Sequence, residues 1–224
     1  MTGMLSQRFR HIAIEGPIGV GKSSLARRLA EPLGARLFLE QPQDNPYLER
    51  FYRAGTDDLQ ANPYALPTQL FFLFQRLEQM RELAQPGMFD ERLVSDFLFA
   101  KDALFARLTL ADEDHLLYTQ IYRRYAPRIP QPDLVIWLRA EVPTLQQRIA
   151  RRGLAMEGGI APDYLARLSS GYVRLFSELP GVPVLAIDTD DFNPIDNEEH
   201  FEALIERLEQ FRGPRERWGP AALV

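Results

Sequence analysis

The sequence predicts a doubly wound α/β fold in which helices flank a five-stranded parallel sheet. The first observation is that its β-like segments are short apolar runs without strict alternation, which is typical of strands buried on both faces. The second is that these runs alternate with helical segments, as in right-handed strand–helix–strand crossovers. We expect a single domain over residues 1–212. A flexible C-terminal tail is predicted at 213–224, where two prolines and two glycines occur.

Strands and helices alternate along most of the chain. In a sheet of this kind, functional residues collect beyond the carboxyl ends of the strands. The predicted strands are Arg10–Ile14, Ala35–Leu39, Arg92–Ser95, Leu134–Leu138 and Val182–Ile187. The predicted helices are Ser23–Pro32, Pro46–Tyr52, Pro67–Ala84, Phe99–Leu108, Asp112–Arg124, Val142–Arg152, Ala161–Leu179 and Asn197–Phe211.

The composition argues against several classes of function. Hydrophobic residues make up 46% of the chain and charged residues 25%, as in ordinary globular proteins. Cysteine is absent, which excludes disulfides, thiolate nucleophiles and cysteine-ligated metals. The formal net charge of −5 argues against a nucleic-acid polymer as a partner. No apolar run has the length of a membrane span or a signal peptide, so we expect a cytoplasmic protein without a membrane partner.

Residues 16–23 read GPIGVGKS and match the phosphate-loop pattern G-x-x-x-x-G-K-[ST]. The loop lies between the first predicted strand and the first predicted helix, which is the arrangement that this pattern requires. Its glycines leave room for backbone N–H groups to surround a phosphate at a helix N-terminus. We therefore predict a P-loop NTPase-like fold. The predicted ATP-binding residues are Gly16, Pro17, Ile18, Gly19, Val20, Gly21, Lys22, Ser23 and Ser24.

Polar side chains follow the glycines and the next two predicted strands. Lys22 is expected to reach the β- and γ-phosphates, and the hydroxyl of Ser23 to bind Mg²⁺. Glu40 closes the second predicted strand and Asp96 the third. Both carboxylates should therefore lie above the γ-phosphate. One can take a proton from an acceptor hydroxyl while the other helps to hold Mg²⁺, which favours a kinase for small molecules.

The sequence disfavours one other class of nucleotide-binding protein and leaves two open. A guanine-specific switch usually carries an Asn-Lys-x-Asp segment, and the chain contains none. A nucleoside monophosphate kinase needs extra cations for the phosphate of its acceptor, which Glu40 would repel. This enzyme and a non-catalytic nucleotide-binding switch module are the two alternatives that stay open.

The chain resembles the deoxyribonucleoside kinases of the deoxycytidine, deoxyguanosine and deoxyadenosine type over about residues 10–192. Besides the phosphate loop, the segment Phe38-Leu39-Glu40-Gln41-Pro42 resembles the one that carries the catalytic glutamate of that family. The resemblance implies Glu40 as the base for the 5′-hydroxyl of a deoxynucleoside. It also implies a product 5′-monophosphate, ATP and Mg²⁺ as co-reactants, and a role in nucleotide salvage.

The predicted helix that begins at Pro67 resembles the helix that reads the nucleobase in this family. Gln69 and Arg76 are seven residues apart, which places them near one face of the helix and two turns from each other. Phe72 lies on that face and can stack on a base. Asp102, six residues after Asp96, resembles the base-reading aspartate of the family. By resemblance, a pair of Arg76 with Asp102 implies dA, dG or dC, and we expect dA or dG first.

A helical lid is predicted at about residues 148–160. Arg148 and Arg152 share a helical face, and converging guanidinium groups stabilise a transferring phosphoryl group. With the following Glu157 they resemble the arginine-rich lid of the family and the glutamate that binds the 3′-hydroxyl. Tyr52 resembles the tyrosine that binds the same hydroxyl.

The chain departs from the family just after Asp96. The Arg and Ser that the family carries there are Phe97 and Leu98 in this chain. The candidates for supplying the missing positive charge are Lys101, Arg151 and Lys22, and the sequence does not distinguish between them. The family usually forms homodimers, so the resemblance implies a homodimer.

Overall fold

The computed structural model describes residues 8–56, 58–83, 92–126 and 129–219. Strands and helices alternate through these ranges. The strands are β1 (His11–Glu15), β2 (Arg36–Phe38), β3 (Leu93–Ser95), β4 (Leu134–Arg139), β5 (Val184–Asp188) and β6 (Arg215–Trp218). The α-helices are α1 (Lys22–Leu33), α2 (Leu48–Arg53), α3 (Ala65–Leu83), α4 (Lys101–Thr109), α5 (Asp112–Tyr125), α6 (Val142–Arg152), α7 (Pro162–Glu178) and α8 (Glu198–Gln210). Short 3₁₀ helices cover Pro42–Asp44 and Ala155–Gly159.

The six strands form one sheet in the order β2-β3-β1-β4-β5-β6, and every pairing is parallel. The central strand is β1, which pairs with β3 on one side and β4 on the other. The chain therefore changes direction across the sheet at β1, and a ligand is expected beyond the carboxyl end of such a strand. This is the position of the predicted phosphate loop.

The predicted parallel α/β fold is confirmed, but the sheet has six strands rather than five. The sixth strand, Arg215–Trp218, pairs with β5 and lies inside the segment for which we predicted a flexible tail. For these four residues that prediction is wrong. The strand is rich in charge and alternates between exposed and half-buried residues, so it has no apolar run to mark it. Residues 220–224 of the predicted tail lie outside the described residues, as does Ala84 of a predicted helix.

Helices cover both faces of the sheet. Because side chains alternate along a strand, Ile12 and Ile14 point to one face and Ala13 to the other. The isoleucines belong to the apolar cluster that includes Leu29 of α1 and Leu204 of α8. Ala13 belongs to the cluster that includes Leu168 and Tyr172 of α7. A further cluster joins α2, α3, α4 and α5 beside the carboxyl ends of the strands. None of the helices in the described ranges combines the length and the apolar character that a membrane crossing needs.

Candidate active site

A cavity of about 150 Å³ lies beyond the carboxyl ends of β1, β2 and β3. Its walls come from the phosphate loop, from α2, α3 and α4, and from residues 152–157. Most of the predicted site residues line it: Ile18, Gly19, Lys22, Ser23, Glu40, Tyr52, Gln69, Phe72, Arg76, Asp96, Arg152 and Glu157. Two more open grooves, of about 480 and 660 Å³, are larger, but neither contains Lys22 or Glu40.

The phosphate loop has the backbone that its glycines predict. Gly16 has a φ of 147°, and a Cβ there would lie 2.3 Å from the carbonyl oxygen of Leu138. At Gly19 a Cβ would lie 2.9 Å from a backbone oxygen of α6. Only glycine therefore lets the loop pass this close to β4 and α6. Helix α1 begins at Lys22, so its free N–H groups end at the loop.

The ammonium of Lys22 lies over the loop. Its Nζ donates to the carbonyl oxygens of Gly16 at 2.9 Å and Pro17 at 3.2 Å. Burial lowers the pKa of Lys22, and the nearby ammonium of Lys101 lowers it further, whereas the carboxylates of Glu15 and Glu40 act in the opposite direction. Lys22 is thus in a position to exchange carbonyl oxygens for phosphate oxygens.

Beside the loop, the hydroxyl of Ser23 and the carboxylate of Asp96 form a pair of oxygen-bearing side chains. The Ser23 hydroxyl donates to Asp96 Oδ2, and Asp96 Oδ1 accepts a hydrogen bond from the backbone N–H of Glu40 at 2.7 Å. Burial raises the pKa of Asp96, although the hydrogen bond from Ser23 opposes this. Within the described ranges, there is no group of three acidic or histidine side chains that could bind a metal ion without further ligands. The pair fits Mg²⁺, which proteins usually bind through one or two carboxylates together with substrate phosphates.

The carboxylate of Glu40 lies between two cations. Arg76 Nη2 donates to its Oε1, and Lys101 Nζ donates to its Oε2 at 2.8 Å. Burial alone would raise the pKa of Glu40, but Arg76 and Lys101 outweigh it and hold the pKa at about 2. Glu40 is therefore ionised at neutral pH and is a weak base. Its oxygens can orient a hydroxyl group by accepting its hydrogen bond.

Arg76 also joins the predicted base-reading residues. Its Nη1 donates to Asp102 Oδ1, and its guanidinium lies 4.9 Å from the centre of the Phe72 ring. Gln69, on the same helix α3, is 3% exposed and lines the cavity. Asp102 is fully buried and does not line the cavity itself, but it contacts Arg76, which does. Burial raises the pKa of Asp102 to about 6, although the Arg76 guanidinium opposes this rise.

The predicted lid arginines have different surroundings. Arg152 lines the cavity and binds Glu157 through both Nε, at 3.0 Å, and Nη2. Arg148 does not line the cavity. Its guanidinium donates to Thr189 Oγ1 at 2.9 Å, to the Thr189 carbonyl at 2.6 Å and to the Val20 carbonyl at 3.4 Å. Arg148 thus braces the phosphate loop against the end of β5, instead of facing the cavity beside Arg152 as the sequence predicted.

Comparisons with known proteins decide the family. The sequence profile of the deoxynucleoside kinases matches residues 12–212. A deoxyguanosine kinase from Bacillus subtilis is 32% identical over 204 residues, which cover 89% of this chain and 96% of that protein. The chain belongs to the deoxynucleoside kinase family.

Two further comparisons agree with this result. A deoxyadenosine/deoxycytidine kinase from Bacillus subtilis is 28% identical over 205 residues, which cover 88% of this chain and 90% of the relative. A solved structure of a deoxyadenosine kinase from M. mycoides with bound dATP has a TM-score of 0.74 at 23% sequence identity, and the match covers 89% of this chain and 98% of that one. The structural match supports the fold. As a deoxynucleoside kinase, the protein is a nucleotide-binding transferase, and its reaction is phosphoryl transfer to a deoxynucleoside.

The departure from the family pattern after Asp96 is visible in the structure. Phe97 and Leu98, where the family carries Arg and Ser, are 1% and 4% exposed and pack in apolar clusters. Neither can place a charge in the cavity of this deoxynucleoside kinase. Lys101 does place one there, through its contact with Glu40.

Glu15 is a buried residue near the site that the sequence reasoning missed. It is fully buried at the end of β1. Its carboxylate accepts hydrogen bonds from the backbone of Gly16 and Leu98, each at 2.9 Å, and from the hydroxyl of Tyr172 at 2.8 Å. Glu15 therefore fixes the start of the phosphate loop to the segment after β3. The sequence feature that could have identified Glu15 is an acidic residue directly before Gly16, at the end of a largely apolar strand.

Proposed function

We propose that the protein transfers the γ-phosphoryl group of ATP to the 5′-hydroxyl of a deoxyribonucleoside, with dA or dG preferred and dC possible. The observation that carries this proposal is that one cavity holds both the phosphate-loop residues Lys22 and Ser23 and the linked residues Glu40 and Arg76. The first pair suits a triphosphate, and the second suits a neutral acceptor with a hydroxyl and a base.

In this proposal Glu40 accepts the hydrogen bond of the 5′-hydroxyl and takes its proton as the new bond to phosphorus forms. Phosphoryl transfer passes through a loose transition state, so the proton leaves late and a weak base is sufficient. Lys22 and Arg152 stabilise the charge on the phosphoryl oxygens. Arg148 supports the loop on which Lys22 lies. Ser23 and Asp96 are proposed to hold Mg²⁺, which would neutralise phosphate charge when bound.

The two ends of the deoxynucleoside meet different walls. Gln69, Phe72 and Arg76, with Asp102 behind Arg76, are proposed to bind the base. Tyr52 and Glu157 are proposed to hold the 3′-hydroxyl, since both line the cavity and both carry hydrogen-bonding oxygens. Such a reaction returns free deoxynucleosides to the nucleotide pool, and we propose a role in nucleotide salvage in the cytoplasm.

We also propose that the protein acts as a homodimer. Helix α5 exposes two large apolar side chains, Leu116 at 65% and Leu117 at 46%. Adjacent exposed leucines of this kind suit an interface between two copies of the chain. Sedimentation of the wild-type protein and of Leu116→Glu should show a dimer and a monomer, respectively. A wild-type monomer at assay concentration would contradict the proposal.

The experiment that tests the proposed reaction is an assay of dA, dG, dC and thymidine, and of dAMP and dTMP, each with Mg-ATP. We expect 5′-monophosphates from the nucleosides, with dA or dG giving the highest kcat/KM and thymidine the lowest. Turnover of dAMP or dTMP without any turnover of nucleosides would assign the protein to the nucleoside monophosphate kinases. Tight ATP binding without any turnover would favour a non-catalytic module.

A further inference from the structure

The chain uses lysine at only two positions. It has 26 basic residues, and Lys22 and Lys101 are its two lysines, the others being arginines. Both lysines line the cavity that holds the phosphate loop. A lysine ammonium is a compact point charge, whereas a guanidinium is a broad planar fork. In a chain whose other basic residues are arginines, the two compact ammonium groups therefore both lie in this cavity.

Lys101 is buried, and both of its partners are carboxylates. It begins α4 and is 3% exposed. Its Nζ lies 2.8 Å from Glu40 Oε2 and 3.6 Å from Glu15 Oε1. Glu15 in turn accepts the backbone N–H of Gly16. The ammonium of Lys101 therefore links the carboxylate of Glu40 to the first residue of the phosphate loop.

The other two candidate cations are not placed to hold Glu40. Arg151 is exposed and does not line the cavity. Lys22 directs its ammonium to the carbonyl oxygens of Gly16 and Pro17. Arg76 does contact Glu40, but it uses the other carboxylate oxygen, Oε1, and it also faces the proposed base site.

We propose that Lys101 is a positioning residue for phosphoryl transfer. It holds Oε2 of Glu40 while Oε1 changes its hydrogen-bond partner from Arg76 to the 5′-hydroxyl. This inference rests on the proposed function, because it assumes a deoxynucleoside in the cavity. A base that binds Arg76 releases Oε1, and Lys101 keeps the carboxylate in place for the hydroxyl. The 5′-oxygen then bonds to the γ-phosphorus, the bond from that phosphorus to the bridging oxygen breaks, ADP leaves, and the hydroxyl proton goes to Oε1.

The kinetic test is a double-mutant cycle of Lys101→Met and Glu40→Gln, with Arg107→Met as the matched control. Arg107 is an exposed cation on the same helix. We expect Lys101→Met to lower kcat by about 10- to 100-fold, the usual loss when an orienting partner is removed, with KM for ATP changed by less than about twofold. In the Glu40→Gln background the same change should lower kcat by less than about threefold, because residues that act as a unit are not additive. Equal losses in the two backgrounds, or no loss in the wild type, would overturn the proposal.

A second measurement does not depend on activity. Protein labelled with ¹³C,¹⁵N-lysine has two lysine side chains to observe, and Lys101→Met assigns the signal of Lys101. We expect the ¹⁵Nζ signal of Lys101 to move in Glu40→Gln and to stay in place in Glu78→Gln, an exposed glutamate on α3. If neither of the two lysine signals moves in Glu40→Gln, the inference is overturned, even if Lys101→Met does not fold. If the wild type phosphorylates no deoxynucleoside but the signal moves, the proposed function fails while the Lys101–Glu40 contact stands.

Discussion

Arg76 binds the carboxylate of Glu40 through Nη2 while its Nη1 binds Asp102. The residue proposed to read the base is thus linked to the residue proposed to receive the 5′-hydroxyl. Under the proposed function, a base that draws Arg76 toward itself would weaken the hold of Arg76 on Glu40. Recognition of the base would then be coupled to preparation of the acceptor site.

The first prediction concerns Glu40→Gln. A neutral amide orients the hydroxyl less well and accepts no proton, so kcat should fall by about 100-fold or more. Deoxynucleoside binding should change by less than about threefold, because Arg76 keeps Asp102 as its partner. Steady-state kinetics together with calorimetric titration of the nucleoside separate these effects. Glu78→Gln, on the exposed side of α3, serves as the control, and a variant at position 40 that keeps near-full turnover would refute the assignment.

The second prediction is a pH dependence that arises from Asp102. As the pH falls through about 6, this carboxylate takes up a proton and its ion pair with Arg76 is lost. We expect kcat/KM for the nucleoside to fall by about tenfold per pH unit below that point. The pKa of about 2 keeps Glu40 ionised over the same range, so kcat should stay flat.

Asp102→Asn tests the assignment of this pH effect. Its kcat/KM at pH 7.5 should be about 10- to 100-fold below the wild-type value, in line with the loss of a charged hydrogen bond, and it should not vary between pH 5 and 7.5. A wild-type profile in which kcat falls and KM is constant would instead identify a group at the reacting centre as the one that titrates.

The third prediction concerns Asp96→Asn. This change removes a charge from the proposed Mg²⁺ site while keeping an oxygen that can accept the Ser23 hydrogen bond. The Mg²⁺ concentration for half-maximal activity should rise by about 10- to 100-fold. Titration of activity with MgCl₂ at fixed ATP measures it. Asp44→Asn, an exposed acid just after β2 that does not line the cavity, should leave the titration unchanged. An unchanged titration in Asp96→Asn would remove this residue from the metal site.

Much of this site could be predicted because its parts are marked locally. The phosphate loop is a contiguous pattern, and Glu40 and Asp96 follow neighbouring parallel strands, whose carboxyl ends meet at one edge. The pairing of Arg76 with Asp102 spans 26 residues and was accessible only through the family resemblance. It is the packing of α3 against α4 that brings the two side chains together.

Other features depend on contacts that no local pattern reveals. The direction of the Arg148 side chain is set by Thr189, which is 41 residues away in the chain. Glu15 has the sequence appearance of a strand residue, yet its oxygens accept hydrogen bonds from the adjacent Gly16 and from two distant residues, Leu98 and Tyr172. Strand β6 consists of charged residues and one tryptophan, so a search for apolar runs does not find it.

The fourth prediction compares two adjacent arginines of α6. Both side chains are exposed, but Arg152 lines the cavity and binds Glu157, whereas Arg151 does not line the cavity. Arg152→Gln should lower kcat by about 100-fold, as the loss of one charge-stabilising donor does elsewhere. Arg151→Gln should stay within about twofold of the wild type. Equal effects of the two changes on kcat would show that the charge of the lid matters but the position of Arg152 does not.

The fifth prediction concerns strand β6 and the stability of the domain. Arg215 and Glu216 are in register with Val184 and Leu185 of β5, and the Trp218 ring lies 4.6 Å from that of Phe192. A chain ending at Arg212 loses these contacts and exposes the edge of β5, so its free energy of unfolding should fall by several kcal/mol. For a chain of this size that corresponds to a decrease in Tm of about 10 °C. A chain ending at Gly219 keeps every one of these contacts and should melt within about 2 °C of the full-length protein. Calorimetry on the three chains measures the difference. Equal melting temperatures for all three would mean that β6 adds no stability, and that the other five strands are sufficient to stabilise the sheet.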